Sequence, residues 1–337
     1  MKRFVLCVLV LAACAVSGCS SSGDLLKGST WQYSIDGGET FTDTPATVAH
    51  EGEIVQIART TFEVTDLDDI AEFHLHAEIY YPRTTAEING TPIAREYPEL
   101  GYIVVRDIAP AVLTIGTNEL RISDTYKKYD ATESQLPPMT AKLLPMTADD
   151  LAFRTGPILG AFNADQFTVT SRTNMVADVV CRARPIGGGE DVVVAADRGL
   201  IQAFTVPRAA GQDAYEYRLE ATRDGVTRET DWQPAPQWSN VTDGTLRFVV
   251  SSDSQTENPA WTAITKRMVA HQPDLLIMTG DMVSNGRDDA QWDAQFLDAA
   301  SELVAVTPLY PVEGNHEMES PILDDLFRTP APGGRGL

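Results

Sequence analysis

The chain has 337 residues, of which 43% are hydrophobic and 22% charged, a balance that excludes a disordered or fibrous protein and leaves room for two or three folded domains. A formal charge of -22, with no Lys/Arg cluster anywhere, excludes a non-specific nucleic-acid-binding surface or an anionic-membrane surface, since phosphate-rich partners attract basic faces.

Lys2 and Arg3 precede an apolar stretch from Phe4 to Val16 and a group of small residues, the order of a secretory signal. Val16-Ser17-Gly18-Cys19 resembles a bacterial lipobox. The resemblance implies an exported lipoprotein, periplasmic or at the cell surface, anchored to the outer membrane through lipidated Cys19 alone. Leu11-Ala12-Ala13-Cys14 fits the same pattern, but Cys19 leaves the longer apolar segment and is followed at once by Ser20-Ser21-Ser22-Gly23. Residues 1–19 are therefore read as signal and lipobox and 20–30 as a tether, with an ordinary cleavage site and soluble secretion as the alternative. Lipidation of Cys19 leaves Cys181 unpaired, so stability must come from packed cores and not from disulfides. No later apolar run reaches the roughly 18 to 20 residues that span a bilayer.

Residues 31–135 alternate in short strands, expected at Thr61–Val64, Glu72–Tyr80, Thr85–Ile88, Tyr102–Val105 and Glu119–Ile122, with a tight turn at Asn89-Gly90. Together with Trp31, Asp36-Gly37 and the run Leu113 to Leu120, this order is similar to a galactose-binding-like jelly roll, which implies a carbohydrate ligand. His74 and His76 fall on one face of a predicted strand; an ordinary polar sheet face explains them, with metal or sugar contact the minor reading. A connector with Leu136-Pro137-Pro138 and Leu144-Pro145 leads to a second β module over 150–240. Its strands are expected at Gln166–Thr170, Ala177–Cys181, Val192–Ala195, Gln202–Val206 and Tyr215–Glu220. Phe153-Arg154-Thr155-Gly156-Pro157 ahead of them resembles the entry to a fibronectin-type-III-like sandwich.

From Leu246 the texture changes to alternating strand and helix. Leu246 to Ser251 reads as a buried strand with Asp253 just past its end, and Asn258-Pro259 as the cap and first residue of a helix with Trp261, Ile264 and Met268 in one stripe. Leu275–Met278 is the next strand and ends in Gly280-Asp281; a second helix turns Trp292, Phe296 and Leu303 inward. Leu309–Val312 is the third strand and ends in Gly314-Asn315-His316-Glu317. Parallel strands joined by right-handed crossovers bring their carboxyl ends to one rim, about 4.8 Å apart, so Asp253, Asp281 and Asn315 are expected to converge.

These three motifs resemble the calcineurin-like metallophosphoesterase superfamily, non-purple relatives of the purple acid phosphatases. The expected fold is multidomain: two β-sandwich modules followed over 246–337 by the first half, βαβαβ, of an α/β metallophosphoesterase domain. The resemblance implies Asp253, Gln255, Asp281 and Asn315 as ligands of two divalent or trivalent metal ions (Mn, Fe or Zn), Asp281 bridging, His316 catalytic, and Glu317, Gly280 and Gly314 supporting. In Asp253-Ser254-Gln255 an amide stands where the family commonly has a metal-binding imidazole, which favours a harder ion or weaker binding. Ser284 stands where a purple acid phosphatase has its iron-binding tyrosine. No histidine follows His316, although the resemblance implies three more, so a C-terminally truncated chain or incomplete gene model is expected. The implied activity is phosphate-ester hydrolysis, doubtful in a truncated chain, with a non-catalytic, carbohydrate-binding surface lipoprotein as the alternative.

Overall fold

A computed structural model of the chain describes residues 23–79, 84–97, 101–129, 131–242, 245–256, 259–317 and 320–327. The signal segment, Cys19, Asn258 and the tail from residue 328 lie outside the described residues. Two β-sandwich regions are followed by a helix-containing α/β segment, as the sequence leads one to expect. Among the described residues, no helix is long and apolar enough to cross a membrane.

In the first region, a five-stranded antiparallel sheet runs in the order Gln32–Ser34, Gly52–Val64, Gly116–Lys128, Thr84–Ile88, Thr91–Tyr97. It faces a three-stranded sheet of Ala141–Thr147, Ile70–Ile79 and Gly101–Ile108. Gly52–Val64 pairs with Gly116–Lys128 along its whole length, and alternate residues of both point inward. Ala58, Phe62, Leu120 and Ile122 from one sheet meet Phe73, Leu75 and Leu143 from the other in one core. Asn89 and Gly90, at φ of 52° and 76°, make the expected tight turn.

Several strands are longer than their apolar signals. Ala141–Thr147, read from sequence as connector because of Pro145, pairs with Ile70–Ile79 as an edge strand, the one place in a sheet where a proline costs no ladder bond. The two strands expected at Gln166–Thr170 and Ala177–Cys181 are one strand, Gln166–Pro185. Its first half pairs with Phe153–Phe162 and Gly199–Pro207, its second half with Val192–Ala195 and Tyr215–Arg223. Phe167, Val169, Phe204, Tyr215 and Tyr217 fill the core of this region. Cys181 is buried there as a free thiol, pushed up to about 12 by burial and then by Glu220, and is therefore inert.

The α/β segment is a parallel sheet in the order Phe248–Ser251, Leu275–Met278, Leu309–Pro311. A helix, Pro259–Ala270, links the first two strands, and a continuous helical run over Asp289–Gln291, Trp292–Leu297 and Asp298–Val304 links the second pair, with a π-helical middle. Both helices cover the face that carries Leu276, Met278 and Leu309. Trp261 stacks on Phe296 at 5.7 Å, and Trp292, Phe296 and Leu303 are buried as expected. The expected stripe on the first helix is rotated: Ile264 is exposed, and Thr265 is buried in its place, its hydroxyl donating to Ala299 O at 2.6 Å. Ile158 and Ile201 of the second β region belong to this third core, and Tyr217 Oη donates to Ala305 O at 2.7 Å, so the β region and the α/β segment are packed together.

Candidate metal centre

The three polar motifs lie at the carboxyl ends of the three parallel strands, and backbone bonds tie them to one another. Asp253 N–H donates to Gly280 O and Gln255 N–H to Asp281 O, both at 3.2 Å, while His316 N–H donates to Asp281 Oδ1 at 3.2 Å. Asp253 and Asp281 both adopt left-handed backbone, φ 53° and 54°, a conformation that Asp tolerates better than most residues and that turns the chain sharply after each strand. Gly280 (φ 95°) is required for closeness as well as for its turn: a Cβ there would sit 2.7 Å from Gly314 Cα. Gly286 leaves no room either, since a Cβ would overlap the Glu317 carbonyl.

Glu317 is the buried tie of the rim. Its Oε2 accepts from Gly314 N–H at 2.7 Å and Asp281 N–H at 2.9 Å, and its Oε1 from Met282 N–H at 2.7 Å and Val283 N–H at 3.3 Å. One carboxylate thus satisfies four backbone donors of two loops that would otherwise be orphaned. His316 Nδ1 lies 3.0 Å from Ser284 O. A carbonyl only accepts, so Nδ1 carries the hydrogen and Nε2 is left to exchange protons.

Asp253 and Asn315 are exposed, Gln255 and Asp281 half-buried. Gln255 Oε1 is itself buried and has no hydrogen-bond partner among the described residues. Among the described residues, no three side chains drawn from His, Cys, Asp and Glu gather closely enough to hold an ion. The four residues that the resemblance implies as ligands are two carboxylates and two amides, an all-oxygen set that would suit a hard divalent cation better than zinc. His74 and His76 are brought together, rings stacked at 6.4 Å, but His74 is buried with its Nε2 2.7 Å from Glu72 Oε1, while His76 is half-buried.

Three contributors to the site were not legible in sequence. The Ser284 carbonyl acts through its backbone, and Gln291 and Gln295, whose Oε1 atoms accept from Asn285 N–H at 2.8 Å and Ser284 N–H at 2.7 Å, lie on a helix that the sequence marks only by its apolar positions.

Fold and rim together are those of an α/β metallophosphoesterase-like segment. Residues 246–335 match the family model of the calcineurin-like phosphoesterases. No curated protein matches the chain. Among solved structures it is similar to the purple acid phosphatase PPD1 from yellow lupin (Lupinus luteus) seeds, at 12% identity and TM-score 0.44 over 84% of this chain and 60% of that one. It is similar also to PhoD, at 14% identity and TM-score 0.38 over 50% of this chain and 40% of that one. A third is a glycosyl hydrolase family 2 member from Bacteroides cellulosilyticus, at 11% identity and TM-score 0.31 over 88% of this chain and 48% of that one. The chain therefore spans 40% to 60% of the length of these structures.

Proposed function

We propose that the chain belongs to a metal-dependent phosphate-ester hydrolase, with Asp253, Gln255, Asp281 and Asn315 holding the cation. The observation that carries this is Gln255 Oε1, a buried acceptor without a partner among the described residues, on a loop whose backbone bonds to that of Asp281; such an atom is costly unless something donates to it or ligates it. A bound divalent cation would neutralise charge on the phosphoryl group and lower the pKa of a water. The protein's own residues do the rest. Asp281 accepts from His316 N–H and so holds the loop that carries the imidazole. Held through Nδ1–H on Ser284 O, the ring presents Nε2 to the leaving oxygen, to which the imidazolium form would give its Nε2 proton. Glu317 keeps the loops of Asp281 and Gly314 in register.

The test is a titration of the 337-residue chain with Mn2+, followed by water-proton relaxation, and then with inorganic phosphate. We expect weak binding, with Kd on the order of 10⁻⁴ to 10⁻³ M for an all-oxygen site of this charge. We expect Asp281→Asn to weaken it at least ~10-fold, and phosphate to bind only with Mn2+ present. Failure of the chain to bind Mn2+ would overturn the reading and favour the non-catalytic alternative.

The proposal extends to export and lipidation at Cys19 and to a carbohydrate ligand of the first β region, both supported by the sequence motifs alone. Cys19→Ser expressed in a bacterial host should release the protein from the membrane fraction; retention there would remove the anchor.

A further inference from the structure

Five charged side chains meet where the three regions touch. Arg106 comes from the first sandwich, Arg154 and Arg172 from the second, and Asp289 and Asp293 from the helical run behind the rim. Asp289 Oδ2 accepts from Arg106 Nη1 at 2.7 Å and Arg154 Nη1 at 2.5 Å, and its Oδ1 accepts from Arg172 Nη2 at 2.6 Å. Asp293 accepts from Arg154, from Arg172 and, at 2.9 Å, from Thr155 Oγ1. Arg172 is 1% exposed, a depth at which a guanidinium persists only with its donors matched. Burial would raise the Asp289 carboxyl, but Arg154, Arg172 and Arg106 outweigh it and hold the group well below the usual carboxylate range.

The same turns of helix reach the imidazole. Asp289 and Asp293 are four residues apart, and so are Gln291 and Gln295, so each pair shares a face of the run. Gln291 Oε1 accepts from Asn285 N–H at 2.8 Å, and the Ser284 carbonyl of that same peptide unit accepts from His316 Nδ1 at 3.0 Å. Gln295 holds Ser284 N–H, and Trp292 Nε1 donates to Gly286 O at 2.6 Å. One peptide plane is therefore gripped by the helix through its N–H and by the imidazole through its oxygen.

We propose that the arginine–aspartate junction is a positioning device for His316, through which the seating of the two β regions on the helix sets the tautomer and orientation of the imidazole. Arg154, Arg172 and Asp293 are positioning residues and touch no reacting atom. The consequence for turnover rests on the function proposed above; the coupling itself does not.

The test uses the full chain labelled with ¹⁵N-histidine, in which long-range proton–nitrogen correlations report the His316 tautomer. In its neutral imidazole form the wild type is expected to show Nδ1–H alone. Gln291→Ala leaves the junction's charges in place, and Asp293→Asn removes one of them; both should mix the two tautomers. In Asp293→Asn the Asn285 amide hydrogen should also exchange at least ~10-fold faster, the loss of about one hydrogen bond's protection. Arg172→Lys keeps the charge without the fork and should fall between, whereas Glu302→Gln, on the exposed side of the same run, should change neither. An unchanged His316 in Gln291→Ala, or in folded Asp293→Asn, overturns the proposal; should Asp293→Asn not fold, Arg172→Lys takes its place. Hydrolysis of p-nitrophenyl phosphate is read in parallel, with kcat expected to fall and KM to hold. If no variant, wild type included, turns over ester with Mn2+, the functional reading fails while the tautomer data still judge the positioning.

Discussion

His76 sits among like charge. Burial first, then His74, Arg106, Lys142 and Arg154, push its imidazole down from 6.5 to about 4. The unfolded chain therefore takes up this proton at higher pH than the native protein does. The contribution to stability is complete above about pH 6.5 and is lost as pH falls through about 4. Urea-unfolding midpoints should drop across that window in wild type, and His76→Asn should lack this component; an identical profile in the variant would refute the assignment. Residues of this kind divide sharply in how readable they are. Asp253, Asp281 and the His316-Glu317 pair were visible because each follows a short apolar run and a turn. Arg172 was not, since Ser171-Arg172-Thr173-Asn174 reads as a polar turn, yet Ser171, Arg172 and Thr173 are buried in an unbroken strand. The partners that justify burying Arg172 lie more than a hundred residues away, beyond the reach of any local pattern.

Among elements, the three parallel strands were the most legible, with Leu275–Met278 found at its full length, because each is a short continuous apolar run closed by turn residues. Edge and bent strands were harder: Pro145 concealed an edge strand, and the run Gln166–Pro185 changes partners halfway. The tightest geometry is where the strand ends cross. Gly280 has both a left-handed backbone and a neighbour at van der Waals overlap, so Gly280→Ala should destabilise the protein by about 2–4 kcal/mol, combining overpacking with backbone strain. Gly225, also left-handed but with open space around it, should lose only about 1 kcal/mol on the same change. Thermal unfolding of the two variants checks this; equal shifts would mean that the crossing is looser than the geometry demands.

Across the whole molecule, the parallel sheet has one covered face and one open one. The first strand, read from sequence as buried, exposes Phe248 and Val250 at 56% and 53%, and Val312, just past the third strand, is 52% exposed, while the other face of the sheet is packed under helices. Parallel sheets are ordinarily buried on both sides, so this surface is expected to drive self-association in the micromolar range. Light scattering coupled to size-exclusion chromatography should show concentration-dependent oligomers that Phe248→Lys with Val250→Lys disperses; a monodisperse wild type would argue that the face is tolerated. The carboxylate of Glu317 has a different consequence. Because the chain supplies its own anion to gather the amides of both loops, the rim is a finished seat before any visitor arrives. If the proposed cation binds there, exchanging it for another would change the guest without redrawing the host, and selectivity would reside in the donor atoms themselves.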